Sequence, residues 1–234
     1  MTVFPLAAIA SPPPAAAVAP WLAPLATVVT EDLAVGCFFR EVLVHGREHL
    51  PPRGPVLLAP THRARWDALI LPHAVGRRVT GRDCRFMVTT TEMAGLQGWF
   101  LQRLGCFAID QSSPGTASLR LVLDLLGEGQ QVVVFPEGRI NRDDDPIVVA
   151  SGVPRLATLA RSRGLTVPLL PVGLAYSSRV PLPGDVAAVE IGPPVPLEGS
   201  GKAAAADLGL RLASALRSAE EAARRRVGRP LACT

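Results

Sequence analysis

His62 and Asp67 stand five positions apart in the stretch Ala59-Pro60-Thr61-His62-Arg63-Ala64-Arg65-Trp66-Asp67. An apolar run, Val56-Leu57-Leu58, precedes it and another, Leu69-Ile70-Leu71, follows. On a straight α-helix five positions are about 140° beyond a full turn, so the two side chains diverge if both lie mid-helix. They meet if His62 ends a loop and Asp67 opens the next helix. The carboxylate then reaches back to an imidazole nitrogen, fixes the tautomer and stabilises the charged form, which makes a general-base pair. No G-x-S-x-G sequence offers a protein nucleophile, so this base would act on a hydroxyl carried by the substrate.

Two further groups sit where strands should end. Gln131-Val132-Val133-Val134-Phe135 is a continuous, β-branched run of the kind buried on both faces in a parallel sheet. It leads straight into Pro136-Glu137-Gly138-Arg139-Ile140-Asn141-Arg142. Gly105-Cys106-Phe107-Ala108-Ile109-Asp110 is a shorter strand with Asp110 at its exit. Chemistry in open α/β sheets gathers at strand ends, so these loops should neighbour the His62 loop. Glu137, at Gly138, and the guanidiniums of Arg139 and Arg142 can hold an acceptor bearing hydroxyl and anionic groups.

The elements that must position these residues alternate along the chain. Strands are predicted near 56–59, 85–90, 105–110, 131–135, 166–174 and 186–191, and helices near 66–74, 96–101, 117–126, 152–163 and 203–226. This pattern indicates an α/β fold: a single domain, residues 45–234, with a central, mostly parallel sheet flanked by helices. The last helix carries Leu208, Leu212, Ala215, Leu216 and Ala219 on one stripe, and its Arg224-Arg225-Arg226 cluster reads as a solvated or membrane-facing end. Trp99 and Phe100 read as core. Asp143-Asp144-Asp145 lacks the later glycine and glutamate of a calcium loop and reads as a solvated charge run.

A chain of 234 residues with 48% hydrophobic and 19% charged residues can bury a large core, which excludes disorder throughout. A formal charge of +4 favours an anionic partner such as a membrane surface or an acidic metabolite. Nucleic acid is not expected, because no reading motif accompanies the arginines. Cys37, Cys84, Cys106 and Cys233 form no CxxC pair, so free thiols in a reducing compartment are expected, with Cys106 in the core. His45 and His49 lie four apart in a loop with Pro51, Pro52 and Pro55, a poor helix and hence a poor metal site. Residues 1–30 carry no charge but contain six prolines. Residues 1–44 are therefore expected to form an apolar membrane-associating segment that lies on or re-enters the bilayer rather than crossing it as one helix.

Four motifs in order resemble the PlsC-like glycerophospholipid acyltransferases, the family that includes the 1-acyl-sn-glycerol-3-phosphate acyltransferases. His62 and Asp67 match its HX4D motif, and Gly105, Phe107, Ile109 and Asp110 its second. Phe135-Pro136-Glu137-Gly138 is the third, intact, and Val167 to Val172 the proline-flanked fourth. The resemblance implies transfer of a fatty acyl group from acyl-CoA or acyl carrier protein to the hydroxyl of a lysophospholipid or glycerol-phosphate-type acceptor. His62 and Asp67 would be catalytic, and Glu137, Gly138, Arg139, Arg142 and Asp110 would bind substrate. It implies no metal, no cofactor and no acyl-enzyme, with membrane lipid as partner and the active site on the cytoplasmic side of a membrane. Several positions depart from the family pattern. Thr61 replaces the usual asparagine and Ala64 the usual serine, and Thr90, Gln111 and Ala150 stand at positions that are often basic. Arg139, Arg142 and Arg155 are the available substitutes, and the acceptor head group stays open. An acyl-thioester hydrolase and a non-catalytic lipid-binding relative are the alternatives.

Overall fold

The computed structural model describes residues 18–19, 21–109, 116–143 and 145–229. Its strands are β1 (Glu41–His45), β2 (Val56–Pro60), β3 (Cys84–Thr89), β4 (Phe107–Ile109), β5 (Gln131–Val133), β6 (Leu169–Tyr176) and β7 (Val186–Ile191). They form one seven-stranded sheet in the order β1-β7-β6-β2-β5-β3-β4. All pairings are parallel except β6 with β7. Only residues 177–185 separate those two, fewer than the dozen or so that a parallel crossover needs.

β2 shows why the sheet is buried on both sides. Val56 and Leu58 enter one core with Ile70, Leu71 and Val75, while Leu57 and Ala59 enter the other with Val122, Leu126, Leu156, Leu208 and Leu212. Period-2 alternation sends successive apolar residues to opposite faces, so an all-apolar strand needs helices on each. The first face is covered by α3 (Asp67–Val75) and by the end of a helical segment made of α1 (Leu22–Thr27), a π-helical stretch (Val28–Val35) and α2 (Gly36–Phe38). The second is covered by α6 (Thr116–Gly127), α7 (Gly152–Ser162) and the long α8 (Gly201–Arg226). The short α4 (Arg77–Thr80) follows α3, and α5 (Gly95–Arg103) leads into β4.

Helix α8 sits unusually close to β6. A Cβ added at Gly173 would lie 2.2 Å from the backbone of Ala219, so only glycine permits this approach. The apolar stripe of α8 runs by fours through Leu208, Leu212 and Leu216, all fully buried, and continues to Glu220 and Arg224. The expectation of a solvated arginine cluster therefore fails at Arg224, which is 2% exposed and donates from Nε to Glu220 Oε1 at 2.8 Å. Trp99, expected in the core, is instead 42% exposed, with the Arg103 guanidinium 3.9 Å from its ring centroid.

Residues of the expected membrane-associating segment divide. Positions 1–17 and 20 lie outside the described residues, whereas Val35 and Phe39 pack in the first core and β1 begins at Glu41, before position 45. Between them the helical segment leaves Trp21, Leu25, Val28, Val29 and Leu33 exposed. No described helix is long and apolar enough to cross a membrane. Cys84 and Cys106 are buried, which pushes each thiol up to about 12, and Cys37 is exposed.

Candidate active site

The carboxyl ends of β2, β5 and β6 meet around His62. The residue lies two positions past the end of β2, and Asp67 is the first residue of α3, the loop-then-helix arrangement that the spacing requires. His62 Nδ1 is 2.8 Å from Asp67 Oδ2. The same oxygen accepts the backbone N–H groups of Arg63 at 2.6 Å and Ala64 at 2.9 Å, and the Tyr176 hydroxyl donates to Asp67 Oδ1. Every partner of Asp67 is a donor, so Nδ1 carries the proton in this pair and Nε2 is the basic nitrogen. Nothing among the described residues hydrogen-bonds Nε2, and the His62 side chain is 18% exposed. The ring is held flat against Phe135, with centroids 4.0 Å apart and planes 21° apart.

The loop after β5 fastens the backbone on both sides of that ring. The N–H of His62 donates to Glu137 Oε1 at 3.0 Å, and the C=O of His62 accepts the Asn141 N–H at 2.7 Å. Asn141 Nδ2 donates to Glu137 Oε2 at 2.9 Å and to the Asp145 carbonyl, while Asn141 Oδ1 accepts the Asp145 N–H. Gly138 makes the turn in the left-handed region, at φ 67°, which releases the chain to come back beneath His62. Glu137, expected to hold the acceptor, thus turns its carboxylate inward, with its side chain 4% exposed.

A buried charge cluster supports this loop from below. The Arg63 guanidinium is bidentate on Glu220, at 2.8 and 2.6 Å, and its third nitrogen reaches Glu137 Oε2 and the Asn141 carbonyl, each at 3.2 Å. Burial pulls the Arg63 pKa down, but Glu220 and Glu137 outweigh it and the net shift is upward. Arg63, Arg224, Glu137 and Glu220 compensate one another in charge, the condition under which ionised groups can be buried together. Thr61 accepts the Leu174 N–H at 2.9 Å and ties the loop to β6.

The other predicted residues lie outward or undescribed. Arg139 is 62% exposed and pairs with Asp145 at 2.9 Å, and Arg142 is exposed, its carbonyl accepting from Arg179. Arg65, which sequence reasoning passed over, is 76% exposed and 3.7 Å from Glu92 in the turn after β3. Asp110 and Gln111 lie outside the described residues. Asn141, Tyr176, Glu220 and Arg63 also went unassigned. The i, i+4 continuation of the α8 stripe into two charged residues was the one available sign that Glu220 and Arg224 face inward.

Comparison with known proteins bears on the family and the fold. A 1-acyl-sn-glycerol-3-phosphate acyltransferase of Bacillus subtilis (strain 168) is 28% identical over 107 residues, 45% of this chain and 52% of that protein, so the chain spans about half the length of this curated relative. The solved structure of the 1-acyl-sn-glycerophosphate acyltransferase PlsC from Thermotoga maritima superposes with a TM-score of 0.54 at 20% identity, over 80% of this chain and 71% of that one, which bears on the fold. The family model described as Acyltransferase matches residues 41–175, more than half of the sequence and all of the His62 and Glu137 loops. The chain belongs to the acyltransferase family.

Proposed function

We propose that this protein moves a fatty acyl group from an acyl thioester, carried on CoA or acyl carrier protein, to the hydroxyl of a lysophospholipid or glycerol-phosphate-type acceptor. The observation that carries this reading is the His62–Asp67 pair, with Nε2 uncommitted at the mouth of a sheet whose other loops lock the ring in place. Nε2 takes the proton of the acceptor hydroxyl as its oxygen attacks the thioester carbonyl. The tetrahedral intermediate collapses, the C–S bond breaks, and the imidazolium returns its proton to the leaving thiolate sulfur. Holding Nδ1–H on Asp67 keeps the ring in the productive tautomer throughout. No group needs to come from a metal or an organic cofactor in this sequence of steps.

Binding is divided between the two sides of the mouth. The exposed guanidiniums of Arg65, Arg139 and Arg142 supply cations for an anionic head group, with Gly138 allowing close approach of the backbone. Glu137 serves as a fastener of the His62 backbone. The exposed stripe of Trp21, Leu25, Val28, Val29 and Leu33 provides the surface that meets the bilayer, with the active site facing the cytoplasm.

The test supplies purified protein with an acyl thioester, with and without lysophospholipid, and follows thiol release. Release that depends on the acceptor is the expected result. Release without it would instead make the protein a hydrolase, and none at all a lipid-binding relative. His62→Ala should cut acceptor-dependent turnover by about 10³-fold or more while the far-ultraviolet circular dichroism is unchanged. Full activity in that variant would remove His62 as the base.

A further inference from the structure

Tyr176 is the one tyrosine in the chain, and it is 1% exposed. It ends β6, on the face that packs against α3, with its ring stacked on Phe39 at 5.6 Å and 24°. Phenylalanine would fill the same space. The hydroxyl, by contrast, has to find a partner in a buried core, and the partner it has is Asp67 Oδ1. The remaining donors to Asp67, at His62, Arg63 and Ala64, all belong to the loop that Asp67 closes and all meet Oδ2. Tyr176 alone comes from outside that loop, 109 residues away in sequence, and alone meets Oδ1 among the described residues.

We propose that Tyr176 is a positioning residue for the base: its O–H, donated to Asp67, sets how strongly Asp67 pulls on the Nδ1–H of His62. The inference rests on the reading of His62 as the base. A carboxylate that shares its charge with a second donor attracts an imidazolium less, so the O–H holds His62 ready to release its proton to the thiolate. Removing it would concentrate the charge of Asp67 on His62 and make the ring hold its proton more tightly. Among the described residues, the other charged groups around the pair are Glu137 from the loop after β5, Arg63 from the loop after β2, and Glu220 and Arg224 from α8. The helical segment before β1 contributes the rings of Phe38 and Phe39. Burial, then the charge of Asp67 and the hydrogen bond to it, push the phenol of Tyr176 well above its ordinary value, so it remains a donor across the working pH range.

A graded series tests this. Because the chain has a single tyrosine, growth on 3-fluorotyrosine labels position 176 alone with a more acidic, nearly isosteric phenol. Tyr176→Phe removes the donor. For Tyr176→Phe, unmodified and fluorinated protein, the pH dependence of kcat/KM is measured beside the titration of the His62 ring, followed by nuclear magnetic resonance of isotope-labelled histidine and assigned with His62→Gln. The expected result is a monotonic series: the midpoint of the ring and the acidic limb of the rate profile rise by about half a pH unit in Tyr176→Phe and fall with fluorine. Identical ring midpoints in all three would overturn the proposal, including the case where Tyr176→Phe loses turnover with its midpoint unmoved, since that marks a packing role. If Tyr176→Phe does not fold, the comparison of fluorinated with unmodified protein decides alone. A ring midpoint that moves while the rate profile does not follow it supports the role of Tyr176 and overturns His62 as the base.

Discussion

Arginines and carboxylates appear in two regions of this molecule under opposite physical conditions. Beneath the His62 loop, Arg63 and Arg224 meet Glu137 and Glu220 with side chains 2–6% exposed. At the surface, Arg65, Arg139 and Arg142 stand in solvent, where Arg65 faces Glu92 and Arg139 pairs with Asp145. In the interior each charge costs several kcal/mol to desolvate and is tolerable only as part of a complete set. At the surface a pair is worth about 0–1 kcal/mol and its members can leave it for a ligand. The buried set therefore fixes geometry, whereas the exposed one is not held to its partners.

The sharpest way to break this contrast is to remove one member of the interior set. Glu220→Ala leaves Arg63 and Arg224 buried without their shared carboxylate, and urea unfolding should show a loss of about 3–5 kcal/mol. An unchanged midpoint would mean that water or a neighbour replaces Glu220 and that the cluster does not hold the loop. Glu31 sharpens the comparison from the other side, because it is buried with an incomplete partner: Arg78 is 3.7 Å away and is bidentate on Asp32. Burial raises the Glu31 carboxyl, Arg78 partly offsets this, and Asp32 adds to it. Its folded pKa lies above the unfolded value, so between the two the folded state holds the extra proton and stability falls as pH rises through the window above 4.5. Glu31→Gln should consequently gain about 1 kcal/mol at neutral pH and flatten that fall, opposite in sign to Glu220→Ala. The smallest effect on stability belongs to the rim. Arg139→Ala and Arg142→Ala should leave the urea midpoint in place while raising the KM for a phosphate-bearing acceptor by about tenfold at low salt. If the unfolding midpoint falls instead, these arginines belong with the structural set.

The chain's alternation of apolar runs made the α/β class and the parallel sheet legible, because period-2 and period-3.6 patterns are local properties of sequence. The antiparallel placement of β7 was not legible, since it depends on which neighbour a strand finds after a short connection. Trp99 was misplaced for a related reason: its size suits burial, but its helix presents it outward beneath Arg103. Arg224 erred in the opposite direction, because a run of three arginines looks solvated until one of them is seen to continue the i, i+4 stripe of α8.

At the site itself, sequence alone foretold the contact between His62 and Asp67. A spacing of five positions, from a loop residue after a strand end to a helix start, brings His62 to Asp67 through local geometry, and the Phe135-Pro136-Glu137-Gly138 loop is likewise written in contiguous residues. Which groups surround them was decided by tertiary structure. Tyr176 reaches Asp67 across 109 positions and Glu220 reaches Arg63 across 157, distances over which no local periodicity carries information. Those contacts exist because β6 lies beside β2 and because Gly173 lets α8 approach the sheet, so a glycine on one strand helps to determine where the carboxylate beneath the His62 loop is held.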